Sequence, residues 1–291
     1  MLRTYDDMMK LIMDKAINDE RIRAVTMEGS RVNKNSVRDK YSDFDICYYV
    51  TNIREFTKDR NWIEYFGKTI IVQCPCDRYD DPYDYNGYER FTYLMQFEDG
   101  NRLDLTLIDI SKIADELEND EPRVILLNKD NYTELQPVYN DDAFYMDKPT
   151  EKEFQDSVNE FRWVSIYITK GLCRNQLYYA KHCYDIDVMA MFIKMLEWKI
   201  GVDHNFDVVV GKHSKYLKNF LSEEEMNRFR SIFPNGDYDD IWKRLFIMYD
   251  YFEENAEYVA TKLSFYFDEH ERNRVRDFLI LRKKDYDLEK C

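Results

Sequence analysis

Long apolar runs are missing from this 291-residue chain. No stretch approaches the ~18 uninterrupted apolar residues of a membrane span, so no membrane association is expected. Glycine and proline are scarce, at 8 and 6 residues, which excludes collagen-like and linker-like chains. Positive charge is in deficit: Lys and Arg total 42 against 57 Asp and Glu, a formal charge of −15. A general nucleic-acid binder needs a net basic face to neutralise phosphates, so nucleic acid is not an expected partner. The 4 histidines (His182, His204, His213, His270) form neither an HExxH pair nor a triad signature. Metal chemistry then falls to carboxylates, which suit Mg²⁺. The 6 cysteines are irregularly spaced, and Cys74-Pro75-Cys76 has no second pair to complete a zinc site. The opening MLRTYDDMMK carries acids and lacks the apolar core of a secretion signal. The expected compartment is the cytoplasm, where disulfides are disfavoured. No obligate protein partner is evident.

What is present suffices for real cores: 44% of residues are hydrophobic and 16% aromatic. The length predicts two domains of roughly 150 residues. Met8, Leu11, Ile12 and Ala16 share one helical face, predicting an amphipathic helix from Thr4 to Asn18. Strands are expected at Arg23 to Glu28, Phe44 to Val50 and Thr69 to Gln73, with a short helix at Asn61 to Phe66 and a loop from Cys76 to Gly87. Asp99-Gly100 is a hairpin turn signal between Tyr88 to Glu98 and Arg102 to Ile110. A helical stretch follows from Ser111 to Leu117, and Pro137 to Pro149 reads as a connector. Beyond it the period is helical. Thr150 with Glu153 and Ser222 with Glu225 are capping boxes, Gly171 and Gly201 read as helix stops, and Asp239 to Phe267 forms one long tract. The expected fold is α+β: a domain of mixed sheet, mostly antiparallel, with flanking helices over 1–148, then an α-helical bundle over 149–291, with a ligand cleft between them.

One constellation carries chemistry. Gly29-Ser30 ends a strand, and Asp43-Phe44-Asp45 opens the next. Residues i and i+2 of a strand point the same way, about 6.6 Å apart, so Asp43 and Asp45 can each give an oxygen to one cation. Asp104, between Leu103 and Leu105 in RLDLTLID, faces away from the apolar side and can complete a carboxylate triad. Three acids on one sheet face repel each other unless a cation neutralises them. Gly29 lets backbone approach a phosphate closely, Ser30 adds a hydroxyl donor, and Arg31 and Arg38 add positive charge. A phosphate site beside a two-carboxylate metal site is what nucleotidyl transfer needs. The competing reading is a solvated acidic turn with Ser30 as a helix N-cap.

The string GSRVNKNSVRDKYSDFDICYYV resembles the Gly-Ser…Asp-x-Asp signature of the DNA polymerase β-like nucleotidyltransferase superfamily. With RLDLTLID downstream and a Tyr- and Trp-rich helical second half, nearly the whole chain resembles the aminoglycoside 6-adenylyltransferases, also called streptomycin adenylyltransferases. That resemblance implies AMP transfer from ATP to a streptomycin hydroxyl, release of pyrophosphate, a need for Mg²⁺, and a role in antibiotic resistance. It makes Asp43 and Asp45 metal ligands, Asp104 a metal ligand, the base or both, and Ser30 and Arg31 the residues that hold the triphosphate. Two alternatives stay open. One is a superfamily member acting on a protein side chain or RNA end; the other is a catalytically silent nucleotide-binding protein.

Candidates for holding a cationic acceptor are local acids beside aromatics. Asp80, Asp81, Asp84 and Glu89 lie among Tyr79, Tyr83, Tyr85 and Tyr88, although such a charge run reads equally as a solvated loop. Tyr184-Asp185-Ile186-Asp187 places two carboxylates and a ring ahead of a helix, where capping is the plainer role. Gly211-Lys212-His213-Ser214-Lys215 offers two lysines to a triphosphate, or to water. Trp163 and Trp198 read as core.

Overall fold

The computed structural model describes residues 2–33, 36, 38–78, 89–116, 122–139 and 145–289. The chain divides into two compact units, Met1–Ala143 and Phe144–Cys291.

In the first unit, helix α1 (Tyr5–Asn18) starts at a Thr4–Asp7 capping box and buries Met8, Ile12 and Ala16. The strands are β1 (Ile22–Glu28), β2 (Phe44–Val50), β3 (Thr69–Gln73), β4 (Arg90–Phe97), β5 (Arg102–Asp109) and β6 (Val124–Asn128). Among the described residues they form one sheet in the order β3-β4-β5-β2-β1-β6. The expected hairpin forms, with Met95 opposite Leu103. The sheet is mixed, as expected, because β2 runs parallel to β5 at its centre. The short helix α2 (Ile53–Lys58) after β2, and β6 itself, were not foreseen from sequence. In β6, Val124-Ile125-Leu126-Leu127 is a short apolar run of the kind that periodicity cannot assign. The Asn61 to Phe66 segment is a 3₁₀ helix, Arg60–Phe66. A four-residue helix, α3 (Ile113–Glu116), follows β5 after a 3₁₀ turn, Ile110–Lys112.

One face of this sheet buries Phe44, Ile46, Tyr48, Leu103, Leu105 and Leu107 against α1 and its neighbours. Tyr48 donates its hydroxyl to the Ile12 carbonyl at 2.6 Å, tying helix to sheet. Among the described residues, the other face carries a smaller core of Ala24, Cys47, Tyr49, Ile108, Ile113 and Leu135. It leaves one end of β1, β2 and β5 uncovered by that core.

The second unit is helical. Its elements are α4 (Glu151–Cys173), α5 (Leu177–His182), a π-helical turn (Cys183–Val188), α6 (Met189–Asp203), α7 (Glu223–Arg230), α8 (Tyr238–Leu263) and α9 (Glu269–Glu289). Both expected capping boxes are present, at Thr150 and Ser222. The two glycines do not act as stops. A Cβ on Gly171 would lie 2.9 Å from Tyr179 Cδ1 and 3.0 Å from Ala180 Cβ, so glycine there allows α4 and α5 to meet closely. Gly201 lies within α6 against the Phe206 ring for the same reason. The long tract breaks at Ser264, a left-handed C-cap with φ 60°, and α9 follows. Trp198 is core as expected, whereas Trp163 is 55% exposed and donates to the Tyr167 hydroxyl at 2.9 Å. No helix among the described residues is long and apolar enough to cross a membrane.

Candidate active site

The acids gather at the end of the sheet that the smaller core does not reach. Cross-strand register places Glu28 of β1 beside Asp45 of β2, and Asp45 beside Asp104 of β5. Three carboxylates therefore stand in a row across adjacent strands, on the face opposite Phe44, Ile46, Leu103 and Leu105. Asp43, two residues before Asp45, lies on the same face. Gly29 follows Glu28 at φ +70°, and a Cβ there would come within 2.0 Å of Asp45 Oδ2. Only glycine allows the Asp45 carboxylate to rest against this turn.

Arg102, two residues before Asp104, shares its face. Nε and Nη2 donate to the two oxygens of Asp104, each at 2.7 Å, and Nη1 lies 3.6 Å from Asp43 Oδ2. Its contacts span the first and third of the predicted acids. Burial, then Asp104, Asp43 and Glu28, push the Asp45 carboxyl up to about 6, and Arg102 offsets this only in part. Hydrogen bonding to Asp104 in turn raises Arg102. Neither Arg102 nor Glu28 was foreseen as a site residue. The i, i+2 spacing that pairs Asp43 with Asp45 also pairs Arg102 with Asp104, so Arg102 was legible once RLDLTLID was read as a strand. Glu28 needed the β1–β2 register.

Arg31 is tied to the start of β2. Its guanidinium donates to the carbonyls of Asp43 at 2.8 Å and Ser42 at 2.6 Å and lies 3.8 Å from the Phe44 ring centroid. Carbonyl partners leave its positive charge in place beside the Gly29–Arg31 turn. Ser30 lies in the 3₁₀ turn Gly29–Arg31, and Arg38 is exposed in the connector before β2.

The remaining candidates divide. Tyr184 is fully buried and donates to the Ile232 carbonyl at 2.6 Å, so it cannot stack on a ligand, contrary to expectation. Asp185 and Asp187 lie inside the π-helical turn, not at a helix N-terminus, which removes the capping role. Asp185 is exposed and takes a hydrogen bond from Lys181 at 2.9 Å. Lys212 and Lys215 are exposed in the second unit, beside a turn where Gly211, His213 and Ser214 all have positive φ. Asp84, with Asp80, Asp81, Tyr79, Tyr83, Tyr85 and Tyr88, lies outside the described residues; Glu89 is exposed next to β4.

The donor chemistry here suits a hard divalent cation: carboxylate oxygens, crowded enough to hold Asp45 up. Among the described residues no three acidic, histidine or cysteine side chains converge on one point as placed. Both oxygens of Asp104 are taken by Arg102, whose Nη1 also lies near Asp43.

Against known proteins, the family model for streptomycin adenylyltransferase matches residues 2–281. Aminoglycoside 6-adenylyltransferase of Bacillus subtilis (strain 168) is 36% identical over 271 residues, 93% of this chain and 95% of that protein. The protein of the same name from Campylobacter jejuni is 33% identical, covering 99% of each. That from Staphylococcus aureus is 29% identical, covering 96% of this chain and 98% of its own length. A crystal structure of a Bacillus subtilis aminoglycoside 6-adenyltransferase covers 97% of this chain and 99% of its own, at 33% identity and a TM-score of 0.48.

Proposed function

The chain belongs to the streptomycin adenylyltransferase family, a family of adenylyltransferase enzymes, and from that premise we propose that it transfers AMP from ATP to a hydroxyl of an aminoglycoside, namely streptomycin. The acceptor oxygen attacks the α-phosphorus, a new P–O bond forms, the α–β bridge breaks, and pyrophosphate leaves. The observation that carries this reading is the row Glu28, Asp45, Asp104 with Asp43 beside it, set against the Gly29-Ser30 turn.

Asp43 and Asp45 would hold Mg²⁺, which when bound neutralises charge on the triphosphate and on the reacting oxygens. Asp104, next to Asp45, takes the proton of the attacking hydroxyl and can add an oxygen to the metal. The Gly29–Arg31 turn brings backbone and the Ser30 hydroxyl to the phosphates. Arg31 serves by holding Asp43 in place through the Asp43 and Ser42 carbonyls. We assign acceptor recognition to the helical unit, where Asp185 and Asp187 present carboxylates suited to guanidinium groups. A net charge of −15 also favours a polycationic acceptor over an RNA end.

Labelled ATP, Mg²⁺ and a panel of aminoglycosides test this directly. The expected result is label on streptomycin, and loss of transfer on the order of 10²-fold or more in Asp43→Asn or Asp45→Asn. Absence of transfer to every aminoglycoside would overturn the acceptor class. Wild-type turnover in either variant would overturn the site.

A further inference from the structure

Arg102 stands where the acids most need a cation. Its fork takes both oxygens of Asp104 at 2.7 Å and reaches Asp43 Oδ2 at 3.6 Å. Arg102 thus holds Asp104 by hydrogen bonds and faces Asp43 by charge, through the oxygens that a metal would draw on. A guanidinium and a dication in one small site repel each other, and each N–H donated to a carboxylate lone pair is one the metal must displace. Arg102 has somewhere to go: its side chain is 41% exposed at the start of β5, so it can return to water without stranding a buried charge.

Resting on the reading that Asp43 and Asp45 take a divalent cation, we propose that Arg102 is a built-in counter-ion that competes with that cation. It steadies the acids while the metal is absent and yields Asp43, and part of Asp104, when the metal enters. Arg102 is in this sense a positioning residue, acting through the acids and setting how tightly the site takes its metal. No nucleotide is needed for the exchange.

The test is Mn²⁺ binding to the full-length protein without nucleotide, followed by electron paramagnetic resonance, in wild type, Arg102→Gln, Arg102→Lys and Asp45→Asn. Removing the competitor should tighten Mn²⁺ by about tenfold in Arg102→Gln, a moderate figure because the pair is partly solvent-screened. Arg102→Lys keeps the charge without the planar fork and should tighten it less. Asp45→Asn should lose Mn²⁺. The thermal shift on adding Mn²⁺ should be larger in Arg102→Gln than in wild type, a change that a merely structural arginine would not produce. If Arg102→Gln binds Mn²⁺ no tighter than wild type while Asp45→Asn loses it, the competitor role is overturned and the metal site stands. If Asp45→Asn binds as wild type does, the metal site falls and the competitor role with it. Should Arg102→Gln fail to fold, Arg102→Lys decides, and affinity equal to or weaker than wild type overturns the proposal.

Discussion

Two of the forked arginine–carboxylate pairs, one taken from each unit, share a geometry and differ in everything around it. Arg102 meets Asp104 at 2.7 and 2.7 Å, and Arg162 meets Glu253 at 2.8 and 2.7 Å. The second pair is closed: its side chains are 4% and 3% exposed, with Glu271 at 3.4 Å and the Phe267 ring 5.2 Å from the guanidinium. Burial is the largest single influence on Arg162 and pulls it down, and the Glu253 hydrogen bonds together with the charges of Glu253 and its neighbours outweigh it, so it is raised. The first pair is open, at 41% and 18% exposure, and one guanidinium faces the surplus charge of Asp43 and Asp45. Burial and the neighbouring acids leave Asp45 held up to about 6. A satisfied pair under cover contributes to shape. A pair outnumbered by acids and reachable from water keeps an unmet demand for positive charge, and that demand is a capacity to bind.

The closed pair gives the largest effect. Arg162→Met strands Glu253 as a buried uncompensated charge and should cost about 3–5 kcal/mol in urea unfolding. The double variant Arg162→Met/Glu253→Met should recover most of it, because replacing both partners with apolar groups removes the stranded charge. A loss under about 1 kcal/mol in the single variant would erase the distinction between the pairs.

At the open site, Gly29→Ala should be next. The left-handed φ of +70° penalises a side chain, and the new Cβ would meet Asp45 Oδ2 at 2.0 Å. Together these should cost about 1–3 kcal/mol in thermal melts and displace Asp45, lowering kcat as well. A variant with wild-type stability and kcat would show that this turn does not set the position of Asp45.

The smallest effect has an unusual sign. Folding raises Asp45 from the ordinary carboxylate value, about 3.9, to about 6. The folded protein therefore binds this proton more tightly than the unfolded chain. Its ionised form costs stability above pH about 6, and the cost disappears as pH falls from about 6 to about 4. Without metal, Asp45→Asn should be more stable than wild type at neutral pH by about 1 kcal/mol, screening by water reducing the full figure, with no difference near pH 4. Urea melts in chelator across that range check it. A variant less stable than wild type at neutral pH would mean that Arg102 already cancels the surplus.

Much of this could be read along the chain because local rules agree with the fold. Thr150–Glu153 and Ser222–Glu225 cap helices by contacts three residues apart. Asp99-Gly100 turns a hairpin by local backbone chemistry. Period-two alternation sets Asp43, Asp45 and Asp104 on the side of their strands away from Phe44, Ile46, Leu103 and Leu105. Where reading failed, a residue had a distant partner. Gly171 and Gly201 look like stops until Tyr179, Ala180 and Phe206 are seen against them. Tyr184 looks like an aromatic platform until its hydroxyl is found on the Ile232 carbonyl, inside the core.

The order of residues alone dictated the chemistry on offer: acids at i and i+2, a Gly-Ser turn ahead of them, helices with their caps, and too little positive charge to cancel the negative. Those properties are local, or simple sums over the chain. Which acids become neighbours was left to strand pairing. The parallel β2–β5 register sets Asp45 beside Asp104, and the antiparallel β1–β2 register adds Glu28. The same β2–β5 pairing brings Arg102 within reach of Asp43. A shift of one residue would turn each strand's acids to the other face, so the site exists only at the register that burying Phe44, Ile46, Leu103 and Leu105 selects.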